Sequence, residues 1–244
     1  IAMATQLNGD KTFFLPFNQG SGGAGNVGGS GNPENPDGYN TSYLWENVLT
    51  KESLLNIIQR FLHVSIEKKK VTKDGKDTYK TSKKLIFPRY HQLDVVTKIM
   101  DDVKRNGSGK NYLIQHSAGS GKSNSIAWSS YRLASLHDEC NNSIFTSVIV
   151  VTDRKVLDSQ LQDTISSFDH TFGLVETIGD GKSSKDLRDA INDGKKIIVT
   201  TLQKFPVIYE EIESNKGKRF AIIVDEAHSS QTGSSAQKLK TALA

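Results

Sequence analysis

Short apolar runs alternate with helical stretches in the second half of the chain, and this alternation constrains the fold more than any other feature. Three runs rich in Ile and Val are short enough to be buried parallel strands: residues 147–152, 197–201 and 220–225. The candidate helices are residues 126–136, 155–168, 184–192 and 203–214. Such alternation favours right-handed crossovers and a parallel sheet. The sequence therefore predicts an α/β domain that binds ligands at the carboxyl ends of its strands.

A glycine-rich loop, residues 115–123, stands between an apolar run that ends at Ile114 and a helical stretch. This strand-loop-helix setting is typical of a phosphate-binding loop. Gly119 and Gly121 let the backbone wrap a phosphate, and the next helix offers its positive end to the anion. A plain surface loop of Gly and Ser is the alternative.

Two side chains at the end of this loop supply the remaining chemistry of a triphosphate site. Lys122 would reach the β- and γ-phosphates of ATP, and the Ser123 hydroxyl would ligate Mg²⁺. The loop departs from the general pattern at its first position, which is His116 instead of glycine.

Two adjacent carboxylates follow the last apolar run. At the tip of a buried strand, Asp225 can hold Mg²⁺ and Glu226 can orient and deprotonate the attacking water of a nucleotide hydrolase. Two solvated acids are the alternative, but the phosphate loop earlier in the chain favours a nucleotide site.

Basic residues are concentrated in residues 66–92, which hold nine of them against three acids, although the whole chain carries a net charge of only +4. Such a patch suits the phosphate backbone of nucleic acid. An Asp74-Gly75 turn between Lys-rich strands is equally typical of a solvated hairpin. Both interpretations remain open.

The segments before the loop add packing elements and one candidate site. Residues 12–17 are predicted to be β-like, residues 19–31 to form a flexible loop or linker, and residues 51–63 to form a packing helix behind Thr50 as its N-cap. A further helix starts near Pro88 and runs to about residue 105.

Arg89 and Gln92 project from one turn of that helix towards a common point. An amide can read an adenine edge because it offers a donor and an acceptor together. An ordinary helix surface is the alternative.

The composition limits where the protein works. No stretch approaches the roughly 18 apolar residues that a membrane span needs, and no secretory signal is visible at the start. Cys140 is the single cysteine, which excludes an intrachain disulfide and suits a reducing cytoplasm.

The motifs together resemble a known family. Residues 119–123 and the Asp-Glu-Ala-His sequence at residues 225–228 resemble motifs I and II of superfamily 2 helicases of the DEAH class. More narrowly, five segments are similar to the motor region of the R (restriction, translocating) subunit of type I restriction enzymes: residues 87–92, 114–123, 151–158, 198–205 and 225–231. A His before the phosphate loop is also similar to what that family carries.

The resemblance implies roles for individual residues. Arg89 and Gln92 match the adenine-recognition motif. The matches to the ATP and Mg²⁺ site are Gly119, Ser120, Gly121, Lys122 and Ser123. Asp225 and Glu226 match the Mg²⁺-binding and water-activating acids, and His228 matches the residue that couples the nucleotide site to the DNA side.

Two further segments match nucleic-acid contacts of related motors. Arg154 lies in a segment that resembles motif Ia, and Thr200, Thr201 and Gln203 lie in one that resembles motif Ib. Polar strand tips also have an ordinary structural interpretation.

The resemblance implies a RecA-like P-loop NTPase domain, with a parallel sheet flanked by helices, at residues 87–244. Residues 1–38 would be the tail of an upstream nuclease domain with a Gly-rich loop, and residues 39–86 a linker helix and a Lys-rich hairpin. The family's nuclease constellation of Asp and Glu-x-Lys is not found before Tyr39, and no second motor domain follows the DEAH motif. We therefore expect the chain alone to bind ATP weakly, to hydrolyse it poorly and neither to translocate nor to cut DNA.

The leading hypothesis is the ATP-binding motor portion of a type I restriction endonuclease R subunit, which couples ATP hydrolysis to translocation and cleavage of double-stranded DNA. Its partners would be the modification (methyltransferase) and specificity subunits. The alternatives are a stand-alone superfamily 2 helicase of DNA repair or RNA and a non-enzymatic docking fragment.

Overall fold

The computed structural model describes residues 1–73, 76–152, 155–168, 173–179, 181–204, 206, 208, 210 and 217–225. The chain forms two compact units, residues 1–97 and residues 98–244. The finer division predicted from sequence, with boundaries after residues 38 and 86, stays a prediction.

The first unit contains short elements and one amphipathic helix. In chain order these are β1 (Ala2–Met3), β2 (Leu15–Pro16), a π-helical turn (Leu44–Val48) and α1 (Lys51–Arg60). Thr50 caps α1 as predicted, since its side-chain oxygen accepts a hydrogen bond from the backbone N–H of Ser53. Ile57 and Phe61 are fully buried, whereas three other apolar residues of the predicted packing face are between 38% and 51% exposed: Leu54, Leu55 and Ile58.

The glycine-rich segment, residues 19–31, forms a hydrogen-bonded loop, which is one of the two forms that its composition predicts. The backbone N–H of Gly20 donates to the carbonyl oxygen of Gly31 at 2.9 Å and closes the loop. The chain also approaches itself closely inside it, because a Cβ built on Gly22 would lie 2.2 Å from the carbonyl oxygen of Val27. Glycine is needed at position 22 for this close packing.

Two long antiparallel strands, β3 (His63–Lys73) and β4 (Lys76–Ile86), form the predicted lysine-rich hairpin. The register is continuous, and each of the 11 residues of β3 is paired with one of β4. The predicted turn residues, 74 and 75, lie outside the described residues. Within the part of the chain that is described, the two strands pair only with each other.

A parallel four-stranded sheet forms the core of the second unit, and the predicted α/β fold is confirmed. Its strands are β5 (Ser147–Thr152), β6 (Val175–Ile178), β7 (Ile197–Thr201) and β8 (Phe220–Val224). They lie in the order β6-β7-β5-β8, and each neighbouring pair is parallel. Every residue of β5 and β7 is buried, as expected for central strands covered on both faces. Strand β6 was not predicted, because its four residues include the charged Glu176 and are too few to give a recognisable apolar pattern.

The next helices in chain order are α2 (Tyr90–Asn106), α3 (Lys122–Ala134), α4 (Lys155–Ser167) and α5 (Ser184–Asn192). Helices α3, α4 and α5 pack against strands of this sheet. Helices α3 and α4 pack together, and the hydroxyl of Tyr131 donates to the carbonyl oxygen of Ile165 at 2.8 Å. Helix α3 begins at Lys122 instead of residue 126, since its polar first turn has no apolar period to reveal it. No helix in the described ranges has the length and apolar character needed to cross a membrane.

The strand expected before the phosphate loop is not formed. Residues 111–117 have no regular secondary structure, and the apolar run within them is exposed: 42% for Tyr112, 88% for Leu113 and 43% for Ile114. A run of three apolar residues between polar Asn111 and Gln115 offers little area to bury. The prediction of strand-loop-helix is therefore wrong in its first element.

Where the structure describes the helix predicted at residues 203–214, it shows a 3₁₀ turn at Leu202–Lys204 and helical residues at positions 206, 208 and 210. Residues 205, 207, 209 and 211–216 lie outside the described residues, so the remainder of that helix stays a prediction.

Candidate functional site

Two glycines with left-handed backbone end the phosphate loop. Gly119 has a φ of 73° and Gly121 a φ of 83°, values that residues with a side chain rarely adopt. Space is not the reason at Gly119, because a Cβ built there would meet nothing within 4 Å. The requirement for glycine at this position is a requirement on backbone conformation.

Gly121 is the N-cap residue of α3, so the helix starts directly at Lys122. The backbone N–H of Asn124 donates to the carbonyl oxygen of Gly121 at 3.1 Å and closes the first turn. This turn contains no acidic residue, so no carboxylate in it offsets the positive end of the helix dipole. Lys122 and Ser123 are half-buried at this end. The arrangement fits an anion such as a phosphate group.

Polar contacts hold the segment that leads into the loop. The carboxylate of Asp102, on α2, accepts hydrogen bonds from the Tyr112 hydroxyl at 2.6 Å, from Nζ of Lys110 at 3.1 Å and from Nδ2 of Asn106 at 2.7 Å. Burial and then the neighbouring Asp102 raise the pKa of Tyr112 to about 12. The hydrogen bond from Tyr112, followed by that from Lys110, lowers the pKa of Asp102. Sequence reasoning missed this cluster because its members are not in a motif.

Asp225 directly follows β8 at the carboxyl end of the parallel sheet. Its backbone N–H donates to the carbonyl oxygen of Val151 at 2.9 Å, which continues the pairing of β8 with β5 beyond Val224. The residue is half-buried. Helix α3 packs against β5, β7 and β8, so the helix that starts at Lys122 lies directly against the strand that leads to Asp225.

Three predicted site residues, Arg154, Glu226 and His228, lie outside the described residues. Their roles stay predictions.

Gln92 lies in the first turn of α2 and caps that helix. Its Oε1 accepts a hydrogen bond from the backbone N–H of Arg89 at 2.8 Å, and the residue is only 2% exposed. In this arrangement the amide oxygen serves the helix terminus. Reading an adenine through both amide atoms would require the Gln92 side chain to rotate.

An aromatic cluster fixes the start of the same helix. Tyr90 packs edge-on against Phe17 and Tyr43, with ring centroids 5.7 and 5.2 Å apart, and its hydroxyl accepts a hydrogen bond from Nε2 of Gln19 at 3.0 Å. Tyr43 in turn donates from its hydroxyl to the carbonyl oxygen of Phe17, and burial raises its pKa. In the sequence, the only sign of this cluster is that aromatic residues occur near both ends of the first unit.

The residues predicted to contact nucleic acid at the end of β7 differ in exposure. Thr200 is fully buried and Thr201 is 7% exposed, whereas Gln203 is exposed on the 3₁₀ turn. Within the described residues, the Oγ1 atom of Thr200 is buried without a hydrogen-bond partner. Of these three, Gln203 is the one whose side chain can reach a nucleic acid without rearrangement.

Lys204, the next residue, has a structural role that sequence reasoning missed. Its Nζ donates to the carbonyl oxygens of Ile178 and Gly179 at 3.0 Å each and of Lys182 at 2.9 Å. A charged donor shared by three carbonyl groups links the end of β6 to Lys182.

The described residues contain no cluster of three or more His, Cys, Asp or Glu that could hold a metal ion. Magnesium does not require one, because it keeps several water ligands and is held by one or two carboxylates together with substrate phosphates. A hydroxyl at Ser123 and a carboxylate at Asp225 fit that donor set.

Several relatives carry names of one enzyme class. A protein of Mycoplasma pneumoniae, provisionally named as the C-terminal part of the MpnIIP type I restriction enzyme endonuclease subunit, is 25% identical over 207 residues, which cover 78% of this chain and 88% of that protein. The type I restriction enzyme HindI endonuclease subunit of Haemophilus influenzae is 31% identical over 199 residues, or 78% of this chain. The SauCOLORF180P endonuclease subunit of Staphylococcus aureus is 26% identical over 162 residues, or 63% of this chain.

The chain spans only 17% of the Haemophilus relative and 16% of the Staphylococcus relative. Among solved structures, the UvsW helicase from bacteriophage T4 matches with a TM-score of 0.43 and 20% identity, over 66% of this chain and 50% of that one. The α/β assignment rests on the strand order observed here and not on this likeness.

A family model covers all of the second unit. Residues 91–244 match the SWI2/SNF2 ATPase model. The match includes the loop with its two left-handed glycines, α3 and the strand that precedes Asp225. With the named relatives, it confirms the resemblance to type I restriction enzymes and to superfamily 2 motors. The chain therefore belongs to the SWI2/SNF2 ATPase family.

Proposed function

We propose that the chain is the ATP-binding motor portion of a type I restriction endonuclease subunit, which couples ATP hydrolysis to movement of double-stranded DNA. The observation that carries the proposal is the left-handed Gly121 at the start of α3, which offers an anion site in a chain of an ATPase family. The names of the relatives support the restriction assignment. The proposed partners are duplex DNA and the methyltransferase and specificity subunits of the same system.

The phosphate loop and the acids that follow β8 divide the chemistry of the proposed site. The loop backbone at Gly119, Ser120 and Gly121 binds the phosphates, and Lys122 offsets the charge that develops on them. The Glu226 carboxylate takes a proton from the water whose oxygen attacks the γ-phosphorus, while the bond to the β–γ bridging oxygen breaks to give ADP and phosphate. Ser123 and Asp225 would hold Mg²⁺, which would neutralise phosphate charge.

The proposal also gives roles to residues outside the phosphate loop: some recognise the nucleotide base, and others couple the nucleotide site to DNA. Arg89 and Gln92 recognise the base, with the Gln92 amide leaving its capping position to do so. His228 couples the site to the DNA side. Arg154 and Gln203 contact the DNA backbone, with Thr200 and Thr201 shaping the same strand end.

Binding of Mg²⁺-ATP to this chain tests the proposal, with Lys122→Ala as the variant and Lys104→Ala as the control. Lys104 is an exposed lysine near the end of α2, so its loss removes one charge without touching the phosphate loop. Lys122→Ala should weaken binding at least tenfold and Lys104→Ala should not, as measured by titration calorimetry. A chain that binds no Mg²⁺-ATP would instead be a docking fragment.

The restriction assignment needs the complete endonuclease subunit assembled with its partners. There, Glu226→Gln should abolish ATP hydrolysis stimulated by DNA that carries the recognition site. Hydrolysis that is equally stimulated by any DNA or RNA, without the modification and specificity subunits, would favour a stand-alone helicase.

A further inference from the structure

Two aromatic rings stand exposed together on the first unit. Tyr39 and Trp45 pack edge to face, with ring centroids 6.1 Å apart, yet the two residues are 74% and 52% exposed. Leu49, four residues after Trp45, is 50% exposed. Single exposed apolar side chains are ordinary, but tryptophan and tyrosine are enriched where proteins bind one another. We call these three residues the aromatic surface, and its composition is typical of a docking site.

The backbone that carries Trp45 has an uncommon geometry. The turn Leu44–Val48 is π-helical, and the backbone N–H of Leu49 closes it by donating at 2.7 Å to the carbonyl oxygen five residues earlier. Such turns are rare and frequently lie at functional sites. Tyr43 and Val48, which are only 5% and 4% exposed, anchor the inner side of the turn. The exposed ring of Trp45 therefore stands on a fixed support.

Asn35 fixes the loop that carries the other ring. Its Nδ2 donates to the carbonyl oxygen of Tyr39 and to Oγ of Ser42 at 3.3 Å each, and its Oδ1 accepts from the backbone N–H of Asp37 at 3.2 Å. Oγ of Ser42 in turn donates to Oε2 of Glu46 at 3.0 Å. One side-chain amide is thus linked to both segments that carry the rings. A surface that is ordered before binding loses little conformational entropy when a partner arrives.

The charge beside the two rings is negative. Residues 12–50 contain three acids and no Lys, Arg or His, although the whole chain carries a net charge of +4. Two of these acids lie next to the rings in sequence, since Asp37 precedes Tyr39 by two residues and Glu46 directly follows Trp45. Both are exposed, and neither forms an ion pair within the described residues. This charge attracts a cationic partner and repels the phosphates of nucleic acid.

From this combination of exposed rings and carboxylates we propose that the aromatic surface docks an arginine-bearing segment of a partner protein. A guanidinium group is attracted to the face of an indole or phenol ring. Its fork of N–H donors also matches a carboxylate, whereas a lysine supplies charge without the planar fork. The inference goes beyond the proposed function and does not depend on the ATP site.

Labelled peptides test the proposal on the whole chain. The probe is fluorescein-labelled Gly-Arg-Gly-Arg-Gly, and the peptides with Lys or Gln in place of Arg are its controls. Fluorescence polarisation should show saturable binding of the Arg peptide, about fivefold or more tighter than that of the Lys peptide, because an ammonium group lacks the planar fork. The Gln peptide should not bind. The chain has a net charge of +4, so its overall charge does not favour a cationic probe.

Two pairs of variants locate the binding. Trp45→Ala should lower the affinity for the Arg peptide about fivefold or more, whereas Phe13→Ala, at another exposed ring of the first unit, should lower it less than about twofold. Glu46→Gln should lower it about threefold, and Glu139→Gln, at an exposed position of the second unit, should leave it unchanged. Trp45→Phe keeps a ring and should retain most of the binding.

Tryptophan quenching locates the peptide independently of the variants. The chain has two tryptophans, and Trp128 is only 1% exposed, so quenching by acrylamide reports mainly on Trp45. Saturating Arg peptide should protect the emission from acrylamide. Binding without protection would place the peptide elsewhere and overturn the assignment to the aromatic surface.

Other results would change the occupant. No saturable binding of the Arg peptide, or equal affinity for the Lys or Gln peptide, would overturn the choice of arginine. Equal losses in Trp45→Ala and Phe13→Ala would show that the aromatic surface is not a specific site. Self-association that sedimentation shows to be lost in Trp45→Ala would make a second copy the occupant. Binding of a labelled oligonucleotide that is lost in the same variant would make nucleic acid the occupant.

The ATP site provides a separate control. Mg²⁺-ATP binding should be the same in Trp45→Ala as in the unaltered chain, and urea unfolding should show that the variant is folded. A chain that binds the Arg peptide through the aromatic surface but binds no ATP would refute the proposed function and leave this inference standing.

Discussion

The hydroxyl of Tyr112 donates a 2.6 Å hydrogen bond to Oδ2 of Asp102 and so fixes the segment that enters the phosphate loop. Burial, followed by the hydrogen bond and charge of Asp102, raises the pKa of Tyr112 from 10.0 to about 12. Because the folded-state pKa is raised, the contribution of neutral Tyr112 to stability is complete below pH 10 and is lost as the pH rises to about 12. The hydrogen bond from Tyr112 lowers the pKa of Asp102, so the contribution of that carboxylate is lost as the pH falls through the lowered value.

Asp102→Ala should therefore bring the pKa of Tyr112 part of the way back towards 10, while the effect of burial remains. The measurement is an ultraviolet titration of tyrosinate, taken as the difference between each protein and its Tyr112→Phe counterpart. Asp101→Ala, at the neighbouring and exposed position of α2, is the matched control. A Tyr112 pKa that is the same in Asp102→Ala as in the unaltered chain would contradict the role given to the hydrogen bond.

Gly119→Ala and Gly107→Ala should cost the same stability but differ in nucleotide binding. The two glycines have φ values of 73° and 74°, and a Cβ would meet nothing within 4 Å at either position. Each substitution should therefore lower the free energy of unfolding by about 1–2 kcal/mol through backbone strain alone. Only Gly119→Ala should also weaken Mg²⁺-ATP binding beyond that loss. Urea unfolding measures the stability of the two variants, and calorimetry measures their binding of Mg²⁺-ATP. Equal losses of binding in both variants would mean that backbone strain alone, and not the function of the loop, explains the effect of Gly119→Ala.

The parallel sheet could be predicted because β5, β7 and β8 are continuous apolar runs, and burial on both faces leaves that signature in sequence. The irregular backbone of residues 111–117 could not be predicted. The apolar character of Tyr112 competes with its hydroxyl, and the partner of that hydroxyl, Asp102, is supplied by a different element. A sequence pattern reveals Tyr112, but it does not reveal that the distant Asp102 accepts the hydrogen bond from its hydroxyl.

Lys204→Ala should lower the free energy of unfolding by about 1–3 kcal/mol, because it removes a charged donor from three carbonyl groups. Lys185→Ala, at an exposed position of α5, should change it by less than about 0.5 kcal/mol. Chemical denaturation measures both. A loss no larger for Lys204 than for Lys185 would mean that water replaces the ammonium group without cost.

Thr200→Val should stabilise the chain by about 1 kcal/mol, because it removes a buried hydroxyl that lacks a hydrogen-bond partner among the described residues and keeps the side-chain shape. The reverse change next to it on β7, Val199→Thr, adds a hydroxyl to a fully buried position and should destabilise by about 1–3 kcal/mol. DNA binding should be unchanged in Thr200→Val if Gln203 makes the contact. A loss of DNA binding without a loss of stability would return Thr200 to the interface.

In the proposed nucleotide site, too, some residues can be recognised from sequence and others cannot. Gly119, Gly121 and Lys122 are recognisable because the left-handed backbone and the phosphate charge demand particular residue types. The capping bond from the Arg89 backbone to Gln92 is not recognisable, since an amide at this position suits a helix cap and a base contact equally well.

The closed loop at residues 19–31 has a consequence for how this protein can vary. Composition alone would suggest a linker, in which the length matters and the identity of each residue does not. In the structure, the identity of particular residues does matter. A Cβ added at Gly22 would lie 2.2 Å from a backbone atom of Val27, and one added at Gly28 would lie 2.4 Å from a backbone atom of Gly22. Each of these glycines is a position that accepts no larger residue unless the backbone moves. What looks like low-complexity sequence should therefore drift more slowly than the exposed helix surfaces around it.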